Sequence, residues 1–129
     1  MNLEKVVFGF FVVLAATLNF GFFIGDLGNP ELHSVYELFA AVVVNLIATV
    51  LKFGDRTQIG AVHLATSLVA SLQLITAAVV WTYSAYVLTD GVLTAEQTAA
   101  VVSLSGGALF ANVVSVVLLV VETVSFQRR

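Results

Sequence analysis

Charged residues divide this 129-residue chain into four uninterrupted neutral stretches, Val6 to Gly25, Leu38 to Leu51, Thr57 to Thr89 and Gln97 to Val121, of 20, 14, 33 and 25 residues. A helix needs about 20 predominantly apolar residues to cross a bilayer. The first and fourth stretches meet that length, the third holds one tilted span but not two, and the second falls short. Composition supports a membrane setting: 60% of residues are hydrophobic and 10% charged, where a soluble domain carries about a quarter charged. Disorder is excluded, because disordered chains lack apolar residues. Five Lys and Arg at net charge −3 form no footprint for phosphates, so a nucleic-acid partner is not expected. The absence of cysteine removes disulfides, thiolate metal sites and thiol catalysis.

Helix signals repair the short second stretch. Asn29 reads as an N-cap, Pro30 as a first helical residue and Glu31 as an acid at the positive end of the helix dipole. A helix from Pro30 to Phe53, stopped by Gly54, is long enough to span and puts Glu37 about two turns inside it. Asp55-Arg56-Thr57-Gln58 and Thr94-Ala95-Glu96-Gln97 read as capping boxes opening the third and fourth helices. The expected fold is an all-α integral membrane four-helix bundle, one transmembrane domain over residues 1–129 with helices near 3–24, 30–53, 56–88 and 95–127. The first apolar run ends at Gly25-Asp26 with no Ala-x-Ala site, so it reads as an anchored span rather than a cleaved signal.

With four spans, the N-terminus, the turn between helices 2 and 3 and the C-terminus share one side. Those segments hold Lys5, Lys52, Arg56, Arg128 and Arg129, every basic residue in the chain. The positive-inside rule makes that side, and both termini, cytoplasmic. Asp26, Glu31, Asp90 and Glu96 mark the outer loops. So one-sided a distribution argues against dual-topology insertion.

Polar residues within the spans are the candidate functional groups, since each is costly in hydrocarbon. At 100° per residue, Glu37, Ala41, Val44, Asn45, Ala48 and Lys52 share one sector of helix 2, with Thr49 beside them. The residues Glu37, Asn45, Ala41, Ala48 and Thr49 suit an ion path with a carboxylate at its outer mouth and an amide at its constriction. A plain interfacial role for Glu37 is the alternative, and Lys52 opposes a cation unless it turns outward to the headgroups. On helix 3, His63 lies at the level of Glu122 of helix 4, a pair able to gate or relay protons; an ordinary structural hydrogen bond is the simpler role. His33 is expected to be exposed. Ser103, Gly107, Ala111 and Ser115 recur every fourth residue on helix 4 and read as a small-residue packing ridge, with Asn19 and Asn112 as interhelical glue. Gly106-Gly107 could instead break that helix. Trp81, Tyr83 and Tyr86 form an interfacial aromatic belt. No metal, cofactor or enzyme motif is present in the sequence.

The segments Asn19-Phe20-Gly21-Phe22-Phe23-Ile24-Gly25-Asp26 and Lys52-Phe53-Gly54-Asp55-Arg56-Thr57-Gln58 resemble those of an uncharacterised family of small four-helix inner-membrane proteins from gammaproteobacteria. The resemblance implies a bacterial inner membrane and carries no assigned activity.

The residues support three readings of function. The first is a homo-oligomeric, cation-conducting channel with helix 2 lining the path. The second is a non-conducting accessory or scaffold subunit packing on an unlike membrane partner through the helix 4 ridge. The third is a small proton-coupled transporter using Glu37 or His63 and Glu122. All three place the chain in a lipid bilayer and none is an enzyme.

Overall fold

The computed structural model describes residues 3–24, 33–54, 57–88 and 91–127, with side chains to residue 124. Four helices account for nearly all of them: α1 Leu3–Phe23, α2 Val35–Lys52, α3 Gln58–Tyr83 and α4 Ala95–Gln127. A π-helical turn, Ser84–Leu88, prolongs α3. All four helices are long and apolar enough to cross a membrane. The shortest, α2, has 18 residues and reaches about 27 Å at 1.5 Å per residue, close to the thickness of a hydrocarbon core.

The helices form an antiparallel ring in which α1 packs on α2 and α4, and α3 packs on the same two. The end holding the start of α1, the finish of α4 and the α2/α3 turn is called basal here, and the other end distal. Large apolar side chains such as Phe10, Phe20, Leu72 and Phe110 point outward, whereas Asn19, Asn45, His63, Ser71 and Asn112 are buried. That inversion suits a bundle whose solvent is lipid, because polar groups in a bilayer must find partners inside the protein.

The start of α2 differs from the sequence expectation. His33 and Ser34 are not helical, and Ser34 holds the N-cap position in extended backbone at φ −79°, ψ 119°, its carbonyl accepting from Leu38 N at 3.2 Å. Asn29, Pro30 and Glu31 lie outside the described residues. Glu37 is therefore in the first turn of α2 rather than two turns deep. At α3 the capping residue is Thr57, whose Oγ1 accepts from Gly60 N at 3.0 Å. Thr94 and Gln97 form a reciprocal box ahead of α4: Thr94 N donates to Gln97 Oε1 at 2.9 Å and Gln97 N to Thr94 Oγ1 at 3.2 Å. Together they satisfy two donors that a helix start leaves without partners.

Close approaches fix the register. Thr66 Oγ1 and Ser115 Oγ are 2.5 Å apart, and Gln73 lies over Gly107, which aligns α3 with α4. Phe23 covers Gly106, where an added Cβ would come within 2.7 Å of its ring, and Gly9 faces Leu119, which aligns α1 with α4. Glu37 lies on Gly21 and Lys52 over Phe8, aligning α2 with α1. Thr49 and Ser71 hydroxyls meet at 3.2 Å between α2 and α3. Gly106 and Gly107 sit in unbroken helix, so they admit side chains from α1 and α3 rather than interrupt α4.

The buried apolar side chains form two clusters. The larger, with Phe22, Leu38, Leu74, Val101 and Val102, occupies the distal half, and a smaller one, Phe8, Val12 and Ala48, the basal half.

Candidate functional site

On α2 the sequence stripe is buried within its own bundle. Ala41, Ala48 and Asn45 are at most 1% exposed and Thr49 4%, while Phe39, Val43, Leu46 and Val50 face outward. Spacings of three and four residues keep such a row on one face of a 3.6-residue helix. Within the chain these side chains face α1 and α3. Asn45 Nδ2 donates to Ala41 O and Thr49 Oγ1 to Asn45 O, both at 2.8 Å, so both groups are engaged locally.

The small-residue row on α4 is displaced from its expected place. Ala111 and Ser115 are buried and Gly107 receives Gln73, but Ser103 is exposed. A strict four-residue step advances 40° per repeat, about 120° from residue 103 to 115, so the row winds off a straight interface. The buried face instead follows Val101, Ser105, Ala108, Asn112 and Ser115.

His63 and Glu122 do come together. His63 Nε2 is 3.8 Å from Glu122 Oε2, and the other carboxylate oxygen, Oε1, accepts from Lys5 Nζ. The imidazole is fully buried, while the Glu122 side chain keeps 16% exposure. Phe8 stands edge-on to His63 with ring centroids 5.1 Å apart, and Lys52 Nζ lies 4.3 Å from the centre of the same Phe8 ring. Lys52 thus turns inward and is buried. Its α2 row points into the bundle, and the ring face offers the ammonium a cation–π contact. One group from each helix, Lys5, Lys52, His63 and Glu122, meets at the basal end. In the sequence His63 and Glu122 stand out as a pair and Lys52 as the ammonium at the inner end of the α2 stripe, opposing a cation unless turned outward, whereas Lys5 marks only topology.

The distal end has its own histidine, and here the expectation of exposure is corrected. His33 is 3% exposed, its Nδ1 lies 2.5 Å from Phe22 O, and its ring is tilted 5.5 Å from that of Phe22. Phe22 in turn meets Trp81 edge-on at 6.0 Å. At the end of α1, His33 comes back to the carbonyl of Phe22. Trp81 is therefore partly packed against the core, while Tyr83 and Tyr86 are exposed. Glu37 is half-buried, its carboxylate seated where a Cβ on Gly21 would stand. Both ends thus pair a histidine with a phenylalanine of α1 and hold a glutamate.

Between the ends lies a series of polar groups. From the distal side it runs through Glu37 at Gly21, then Asn19, Gln73 and Asn112, then the Thr66–Ser115 hydroxyl pair, to His63 and Glu122. Among the described residues, Asn19 Nδ2 and Oδ1, Gln73 Oε1 and Asn112 Nδ2 are buried with no protein hydrogen-bond partner. An amide left so in an apolar medium costs roughly 2 to 7 kcal/mol. Asn19 and Asn112 therefore make no interhelical hydrogen bond through these atoms, contrary to the glue role expected for them. No group of three or more His, Asp or Glu able to hold a metal occurs among the described residues.

Residues 32–123 match a family of unknown function, DUF6394, and the chain belongs to that family. No curated protein and no solved structure matches it.

Proposed function

We propose that this chain is a multi-pass membrane protein that conducts protons through the interior of a single bundle. The observation that carries the reading is the buried polar series with a titratable group at each end, Glu37 distally and His63 with Glu122 basally. Ionisable groups inside membrane bundles are costly and are the usual relay stations of proton paths. Imidazole is suited to the task because it gains and loses a proton near neutral pH.

The cation-channel reading is less well supported. It needs Glu37, Ala41, Asn45, Ala48 and Thr49 on an oligomer axis, and all but the half-exposed Glu37 are enclosed by α1 and α3. The functional unit in our reading is the protomer, with no axial pore. We place the basal end, with Lys5 and Lys52, on the cytoplasmic side of a bacterial inner membrane, following the positive-inside rule.

Purified protein in liposomes carrying an internal pH dye tests this. With valinomycin setting an inside-negative potassium diffusion potential, the reading predicts proton uptake balanced by potassium leaving through the ionophore, and no sodium or potassium flux through the protein when valinomycin is omitted. Cation flux that is indifferent to the proton gradient would favour the channel, and a silent protein would remove both.

A further inference from the structure

The three unpartnered carboxamides occupy one layer of the bundle. Gln73 lies over Gly107 and Phe23 over Gly106, which sets a common level on α1, α3 and α4. From that level Asn19 is four residues along α1 from Phe23, and Asn112 is five residues along α4 from Gly107. At 1.5 Å per residue these steps are about 6 and 7.5 Å, both toward the basal end, so the three amides share a slab about 8 Å thick. Asn19 is fully buried and Asn112 is 4% exposed.

The unpartnered atoms are mixed in kind. Two are donors, Asn19 Nδ2 and Asn112 Nδ2, and two are acceptors, Asn19 Oδ1 and Gln73 Oε1. A guest must therefore both donate and accept, and a bare cation or anion would leave half the set unmet. It must also be small, since the space above Gly107 is filled by Gln73 and that above Gly106 by the Phe23 ring.

We infer that this layer is a water site: Asn19, Gln73 and Asn112 hold an ordered file of about two or three waters, each about 2.8 Å from the next. The file continues basally toward the Thr66–Ser115 hydroxyl pair and distally toward Glu37, whose seat on Gly21 is two residues from Asn19. The inference rests on the proton-path reading for its purpose, supplying the hydrogen-bonded links between the two titratable ends, but not for its occupancy. Orphaned amides in an apolar interior recruit water wherever there is room for it, whether or not protons move.

Water-edited solid-state NMR of the wild-type protein in lipid, with side-chain amide nitrogens assigned, tests occupancy directly. Rapid magnetisation transfer from water to the side-chain amides of Asn19, Gln73 and Asn112 is expected, with Asn45, whose Nδ2 is bonded to Ala41 O, as the slow internal reference. Asn112→Leu should also slow transfer to Asn19 while leaving the rest of the spectrum in place. Transfer to all three no faster than to Asn45 would overturn the water site. Fast transfer in a protein that carries no protons would keep the site and refute the proton path.

Discussion

His63 of α3 and Glu122 of α4 lie 3.8 Å apart at the basal end, and the carboxylate is held at the same time by Lys5 of α1. The arrangement ties three helices through one acid. Removing that charge does two things: it deletes a proton acceptor and it releases the start of α1.

Glu122→Gln is expected to lower stability in detergent by about 1 kcal/mol, the scale of a charge-assisted hydrogen bond discounted for the exposure of Lys5. Lys5→Met should cost about the same, and the double variant less than the sum, because both delete one contact. Thermal unfolding of the four proteins measures this. Full additivity would show that Lys5 and Glu122 do not interact.

At the α3/α4 crossing, Gly107 makes room for Gln73. Gly107→Val is expected to destabilise the bundle by about 1 to 3 kcal/mol through overpacking. Adding Gln73→Ala should recover much of the loss, as the colliding group is then absent. Denaturant or thermal titration of the single and double variants decides it.

The two ends of the expected α4 ridge should respond differently. Ser103→Leu, on the exposed face, is expected to change stability by no more than about 0.5 kcal/mol, whereas Ser115→Leu, buried against Thr66, should cost about 1 to 3 kcal/mol. Equal effects would mean that Ser103 is covered by a partner.

Thr57 caps α3. Thr57→Ala is expected to cost about 1 kcal/mol, and Thr57→Asp to retain the cap. Hydrogen exchange at Gly60 N reports the cap directly, rising in the alanine variant alone.

Much of this architecture is legible in the sequence because apolar length and helix stops are local signals. The four spans, the polar stripe on α2 and the proximity of His63 to Glu122 follow from helix periodicity and antiparallel order. What the stripe faces is not local: the angles that put Asn45 at the bundle interior also fit an axis between copies, and within one chain its neighbours come from α1 and α3. Pro30 misled the start of α2 because a cap signal competes with the next one, and Ser34 holds the position. His33 reads as a loop residue, and its burial depends on its contact with the Phe22 carbonyl at the end of α1, which no pattern marks. Lys52 is similar: its charge gives topology, but the ring of Phe8 gives its direction.

Proton flux into liposomes, compared among wild type, Glu122→Gln, His63→Gln and Ser103→Leu at matched reconstitution, decides whether the bundle conducts protons. Uptake is expected in wild type and Ser103→Leu, with a fall of about a hundredfold or more in the other two, the scale of losing a positioned proton-transfer group. Equal flux in all four, or none in wild type, would contradict it.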